Sequence, residues 1–184
     1  MLLLPRRTAQ DSALTDMETF ISTERIAERV RTMGRDISRD HPNGVHYVSV
    51  LKGAFMFLAD LVRASEGTVT LDFMALSSYG ASMKSSGQVQ LLKDLGSSIE
   101  GRDVVIVEDI VDTGLTLTYL QDILRARAPR SLRTACLLSK PSRRVVDVTV
   151  DYIGFTIEDR FVVGYGLDYN EQYRHLPYIA VVEN

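Results

Sequence analysis

The sequence predicts an α/β fold in which helices flank a central parallel sheet. Three observations lead there. Along the chain, apolar positions switch between dense β-branched runs and helical spacing. In the middle of the chain these segments follow the order strand, helix, strand, which calls for parallel strands joined by right-handed crossovers. A length of 184 residues with 45% hydrophobic and 24% charged side chains suits one domain with a sizeable core.

The elements can be justified in order. Met1 to Leu4 is apolar but too short for a signal peptide, and Arg6 and Arg7 follow it instead of preceding it, so residues 1–15 read as a loose tail. Ser22 can cap a helix with Glu24 in its first turn, and Ile26, Val30, Met33 and Ile37 recur on one helical face. His41-Pro42-Asn43-Gly44 is a turn. Val45 to Leu51 is a strand by its β-branched content, and Phe55 to Arg63 a helix. Val69 to Leu76 is a strand with Val69, Leu71, Phe73 and Ala75 on one face. Ser77 to Gly87 holds five serines and two glycines, the composition of a mobile loop, and Val89 to Leu92 can form a short strand beyond it. Asp103 to Val107 is almost wholly apolar, as a buried parallel strand should be. Leu117, Leu120, Ile123 and Leu124 give a helical face; Leu132 to Leu138, Tyr152 to Ile157 and Phe161 to Tyr165 read as further strands.

Charge and cysteine content narrow the function. A formal net charge of −3 argues against a general nucleic-acid binder, though not against a local basic pocket for a phosphorylated small molecule. The single cysteine, Cys136, cannot form an internal disulfide, so a reducing compartment and a cytoplasmic location are expected. Within Ala135-Cys136-Leu137-Leu138 it reads as a small buried hydrophobe. No apolar stretch reaches the ~20 residues of a membrane span.

The chemistry concentrates in Val104-Val105-Ile106-Val107-Glu108-Asp109-Ile110-Val111-Asp112-Thr113-Gly114-Leu115-Thr116. An apolar strand runs into two adjacent carboxylates, and a third carboxylate with two threonines and a glycine opens the next helix. Glu108 and Asp109 can reach a diol or a hydrated Mg²⁺, an ion that prefers oxygen ligands and keeps several waters. Residues 112–116 offer free N–H groups and hydroxyls at a helix start, a cradle for phosphate, and Gly114 lets backbone approach the anion. Helix capping alone explains Asp112 or Thr113. It does not explain the second and third acids, which cost energy together unless a cation or donors compensate.

This segment resembles the ribose-phosphate (PRPP) motif of type I phosphoribosyltransferases. Other segments are similar to one branch of that superfamily. Leu51-Lys52-Gly53 looks like its pyrophosphate loop, and Ser77-Ser78-Tyr79-Gly80 like the start of its flexible catalytic loop. Leu138-Ser139-Lys140-Pro141-Ser142-Arg143-Arg144 resembles the loop whose lysine reads a purine's 6-oxo group, and Phe161 to Arg174 resembles the C-terminal hood over the base. From about residue 17 to the end, the chain resembles the hypoxanthine(-guanine) phosphoribosyltransferase family.

The resemblance implies a core over about 40–145 and a small hood from about 16–40 and 146–184. It implies transfer of phosphoribose from PRPP to hypoxanthine or guanine with Mg²⁺. Asp112 would be the general base at purine N7, and Lys140 the donor to O6, which favours 6-oxopurines over adenine. Phe161 would stack on the base and Val162 would offer backbone groups to its edge. Lys52, Gly53 and Arg174 would hold pyrophosphate, and Ser78 and Tyr79 would belong to a lid that excludes water. Glu108 and Asp109 would hold the ribose hydroxyls, directly or through Mg²⁺, and Asp168 a second Mg²⁺. Thr113, Gly114, Leu115 and Thr116 would bind the 5′-phosphate. Leu115 stands where many relatives carry a polar or basic residue, but only its N–H is needed there. A dimer or tetramer is implied, with no nucleic-acid or membrane partner. Three other readings compete: the same fold using another base, such as a pyrimidine or xanthine; a nucleotide-binding regulator on that fold, which would need a basic face; and an Mg²⁺-dependent phosphohydrolase, which would need a water-positioning residue.

Overall fold

The computed structural model describes residues 17–78 and 89–182. The tail over 1–15 and Tyr79 with most of the 77–87 loop lie outside the described residues.

Helix α1 (Thr23–Asp40) starts where Ser22 accepts a hydrogen bond from the Arg25 N–H at 3.4 Å. Its Ile26, Val30, Met33 and Ile37 are buried. Helix α2 (Phe55–Ala64) crosses it closely at Gly34, where an added Cβ would sit 2.6 Å from the Ala64 carbonyl oxygen. Between them runs β2 (Val45–Leu51), preceded by a short β1 (Thr19–Ile21). Then come β3 (Val69–Ser78), β4 (Val89–Lys93), β5 (Asp103–Val111), α3 (Leu115–Arg125), β6 (Ser131–Ser139), a 3₁₀ turn over Pro141–Arg143, and β7 (Tyr152–Thr156). Strands β8 (Val162–Val163) and β9 (Ile179–Val181) complete the order.

The main sheet has six strands in the order β4-β3-β2-β5-β6-β7. Strands β3, β2, β5, β6 and β7 are parallel, and β4 adds an antiparallel edge. Strand β5 shows why its sequence is apolar throughout. Val105 and Val107 join the core under α1 and α2, while Val104 and Ile106 join the one under α3 with Leu117, Leu120 and Leu124. Each such fully buried side chain contributes roughly 1.5–3 kcal/mol. The face expected for β3 is only partly realised: Val69 and Phe73 pack on the core under α1 and α2, but Leu71 is 45% exposed.

A second sheet, β1-β9-β8, is antiparallel and ties the two ends of the described chain together. Its Ile21, Val162 and Ile179 share the core under α1 and α2. Strands β1 and β9 escape the sequence reading because three residues carry too little periodicity. The strand expected over Phe161 to Tyr165 shrinks to two residues because Gly164 and Tyr165 both turn to positive φ, at 98° and 49°.

The parallel strands leave the C-terminal ends of β2, β5 and β6 side by side, with Lys52, Asp112 and Lys140 immediately beyond them. Ligands of open α/β sheets bind at that edge. The opposite edge holds a cavity of about 200 Å³ lined by His46, Arg102 and Arg130, among others. Among the described residues no helix is long and apolar enough to cross a membrane.

Candidate active site

Strand β5 runs on to Val111, four residues past its expected end, because Glu108, Ile110 and Val111 still pair with Cys136, Leu138 and Ser139 of β6. Glu108 and Asp109 are therefore strand residues, not loop residues. They line one cavity of about 230 Å³ together with Asp112, Thr113, Gly114 and Thr116. The three carboxylates and the helix start thus share one pocket. Leu115 does not line it; its side chain points out and is 47% exposed.

Gly114 caps α3 in a left-handed conformation, φ 89°, where an added Cβ would meet Val148 at 2.9 Å and Val146 at 3.0 Å. The N–H groups of the first helical turn have no partner one turn back, and that of Leu115 meets only Thr113 Oγ1 at 3.5 Å, so the helix start is available to an anion. Arg144 fixes this loop from behind, donating to the Val111 and Asp112 carbonyls and to Ser139 Oγ at 3.0 Å. The Lys140 and Val145 N–H groups bond the Val111 and Thr113 carbonyls, both at 3.0 Å. The lysine loop and the acidic loop are in this way one unit.

Burial, and secondarily Asp109, pushes the Glu108 carboxyl well above its usual range. Burial raises Asp109 as well; the Ile110 N–H and Arg174 oppose that rise, and Asp168 adds to it. A group whose folded pKa is raised costs stability when ionised. That cost is absent in acid and appears as pH climbs past the ordinary carboxylate value. Glu108→Gln should therefore raise the melting temperature by roughly a few degrees at pH 8, with the gap closing towards pH 4, while activity falls. Thermal melts across that range check it; a melting temperature lowered at pH 8 would contradict it.

Behind Asp109 the packing admits only glycine. A Cβ on Gly53 would lie 1.7 Å from Asp109 Oδ2, and one on Gly166, at φ 101°, would lie 2.1 Å from the Gly53 carbonyl oxygen. Four charged residues gather beside that stack. Arg174 contacts Asp168 Oδ1 at 2.9 Å and Glu171 Oε1 at 3.2 Å, and Lys52 Nζ contacts Glu171 Oε2 at 2.7 Å. A second chain of charges starts at the buried Lys140, whose ammonium lies 3.4 Å from Asp159 Oδ1. Arg143 then bridges Asp159 Oδ2 at 3.5 Å and Asp112 Oδ1 at 3.1 Å. Phe161 is 45% exposed with its ring edge-on to Tyr169 at 5.5 Å, while Val162 is buried in β8.

The residues expected to act together therefore fall into three adjoining groups. Glu108, Asp109, Asp112, Thr113, Gly114 and Thr116 line the cavity. Lys140 reaches it through Asp159 and Arg143, and Lys52, Gly53, Asp168 and Arg174 stand behind Asp109. Phe161 and Val162 are not part of the cavity lining. Ser78 ends β3. The sequence reading gave no role to Asp159, Glu171, Arg143 or Arg144. Arg143 and Glu171 stand inside motifs it quoted, but Arg143 meets Asp112 and Asp159, 31 and 16 residues away, and Glu171 meets Lys52, 119 residues away, and no local pattern exposes those pairs.

The expected metal ligands Glu108, Asp109 and Asp168 do not form a ready-made cage: among the described residues no three His, Cys, Asp or Glu gather closely enough to hold an ion. Asp168 is instead engaged by Arg174 and by the Glu171 N–H at 2.8 Å. The oxygen-only donor set, and the buried Glu108 and half-buried Asp109 carboxylates whose charge a cation would relieve, nonetheless fit Mg²⁺, which commonly binds one or two carboxylates plus substrate phosphates. Cys136 takes no part, since burial pushes its thiol up to about 12.

The comparison with known proteins decides the family. The phosphoribosyl transferase domain matches residues 18–170. The hypoxanthine phosphoribosyltransferase of Escherichia coli K12 is 48% identical over 169 residues, 90% of this chain and 95% of that one. The hypoxanthine-guanine phosphoribosyltransferase of Bacillus subtilis 168 is 46% identical over 167 residues, 90% of this chain and 93% of that one. The chain belongs to the hypoxanthine(-guanine) phosphoribosyltransferase family. A crystal structure of the Staphylococcus aureus hypoxanthine phosphoribosyltransferase superposes with a TM-score of 0.89 at 41% identity, covering 96% of this chain and 97% of that one. In this phosphoribosyltransferase the mostly parallel sheet and its flanking helices are thus the family's own, and the motif from Glu108 to Thr116 sits at the C-terminal edge of that sheet.

Proposed function

We propose that the chain transfers 5-phosphoribosyl from PRPP to N9 of hypoxanthine, guanine or both, releasing pyrophosphate. The observation that carries this reading is the Lys140–Asp159–Arg143–Asp112 chain beside the cavity at the start of α3. It sets a buried ammonium, suited to a 6-oxo group, and a carboxylate, suited to N7, along one edge of a phosphate cradle.

On this reading the 5′-phosphate rests on the N–H groups and hydroxyls of residues 113–116. Glu108 and Asp109 hold the ribose hydroxyls. Lys52, the Gly53 backbone and Arg174 take the pyrophosphate, and Phe161 covers the base. Asp112 accepts the N7 proton as N9 bonds to the anomeric carbon and the bond to pyrophosphate oxygen breaks. Mg²⁺, which Glu108 and Asp109 would hold at the ribose and Asp168 at a second site, would supply charge neutralisation for the departing pyrophosphate. Ser78 and Tyr79 belong to the segment that would exclude water. The small sheet β1-β9-β8 with the segment from 146 onward would act as the hood, and the chain would work in the cytoplasm as a homo-oligomer without nucleic-acid or membrane partners.

The test is pyrophosphate release from PRPP and Mg²⁺ with each of hypoxanthine, guanine, xanthine and adenine. Release with hypoxanthine or guanine at least 10²-fold above adenine is expected, the scale set by an unmatched buried polar group. Equal rates with adenine would overturn the 6-oxopurine assignment. Nucleotide binding with no turnover on any base would favour a regulator on this fold.

A further inference from the structure

The pyrophosphate side of the site holds an anion of its own. Glu171 places one carboxylate oxygen 2.7 Å from Lys52 Nζ and the other 3.2 Å from an Arg174 guanidinium nitrogen. One carboxylate thus bridges the two cations that the proposed function assigns to pyrophosphate, on which this inference rests. The bridge is built by the backbone. Asn170 and Glu171 both adopt positive φ, 51° and 64°, which side-chain-bearing residues seldom do, and the Glu171 N–H is held on Asp168 Oδ2 at 2.8 Å. Two successive residues in this conformation need a reason. Aiming the side chain of Glu171 back across the turn at Lys52, 119 residues earlier in the chain, supplies one.

We infer that Glu171 is an internal competitor for pyrophosphate. With the site empty, its carboxylate keeps Lys52 and Arg174 paired and facing each other. A pyrophosphate carries more charge than one carboxylate and displaces it. When pyrophosphate leaves, Glu171 returns to Lys52 and to Arg174, which Asp168 also holds at 2.9 Å. The side chains of Lys52 and Glu171 are both 65% exposed, so their contact is weak and readily exchanged, while Arg174 is 19% exposed. The residue tunes pyrophosphate affinity downwards and touches neither base nor ribose.

The decisive variant is Glu171→Gln, which keeps the shape and removes the charge. Titration calorimetry with pyrophosphate and Mg²⁺ should show about threefold to tenfold tighter binding than wild type, in line with one or two exposed ion pairs lost to competition. In steady state, pyrophosphate should become a stronger product inhibitor by a similar factor while the KM for the base stays unchanged. A merely structural role would move both. Glu171→Asp, one methylene too short to span both cations, should fall between the two proteins. Lys52→Ala separates this inference from the reading beneath it. If Lys52→Ala weakens pyrophosphate binding but Glu171→Gln and Glu171→Asp leave it unchanged or weaker, the competitor is wrong and the site stands. If Lys52→Ala binds pyrophosphate as wild type does, the site assignment fails and the competitor with it.

Discussion

Asp112→Asn should lower turnover by about 10²- to 10⁴-fold, the range associated with loss of a positioned general base, while nucleotide affinity changes only a few-fold. The asymmetry follows from where the residue stands. Asp112 lines the cavity with Thr113 and Gly114, and its Oδ1 accepts from Arg143 Nε at 3.1 Å. An amide oxygen can keep that hydrogen bond, so the chain through Arg143 and Asp159 to Lys140 survives the substitution. The amide cannot accept the N7 proton. The cradle itself is held by Gly114 and by Arg144 on the loop carbonyls, neither of which the variant touches. Comparing kcat with the dissociation constant of the product nucleotide reads the difference directly. Equal losses in both would make Asp112 a structural residue.

Lys140→Gln should lower kcat/KM for hypoxanthine by about 10- to 100-fold, the worth of one charge-assisted hydrogen bond, and narrow the preference over adenine. Lys140 is buried, with Asp159 at 3.4 Å as its counter-charge. Glutamine leaves Asp159 without a cation on that side and puts an amide, which can accept as well as donate, where only a donor stood. The 6-oxo group then loses its advantage over the 6-amino group. The KM for PRPP should hardly move, because Lys140 is not among the residues lining the cavity. A rise in the PRPP KM as large as that for the base would show that Lys140 supports the loop and does not read the base.

Parts of this arrangement were legible in the sequence. The apolar run of β5 ending in acids, and the threonines and glycine after it, announced a strand end running into a helix start, and those acids, threonines and glycine line one cavity. The burial of Ile26, Val30, Met33 and Ile37 on α1 followed from their spacing. Other parts were illegible for identifiable reasons. Pairing with β6 carries β5 through Glu108 and Asp109, although charged residues signal a strand's end when read locally. Strands β1 and β9 exist because the two ends of the described chain pair with each other, a tertiary fact that three residues cannot encode. Leu71 looked like core but sits on β3, second from the sheet's edge, and is left exposed. Asp159, Arg143 and the Lys52 contact of Glu171 gain their meaning from partners brought close by folding.

The central claim is that the cavity lined by the Glu108–Thr116 segment, with the Lys140 loop beside it, is where ribose phosphate and purine bind together. A crystal structure of the chain soaked with inosine monophosphate tests it most directly. The account predicts the 5′-phosphate within hydrogen-bonding distance of the N–H groups of residues 113–116, the purine O6 on Lys140, and N7 on Asp112. A nucleotide found at the other end of the sheet, in the cavity lined by Arg102 and Arg130, or bound with its base turned away from Lys140, would contradict it.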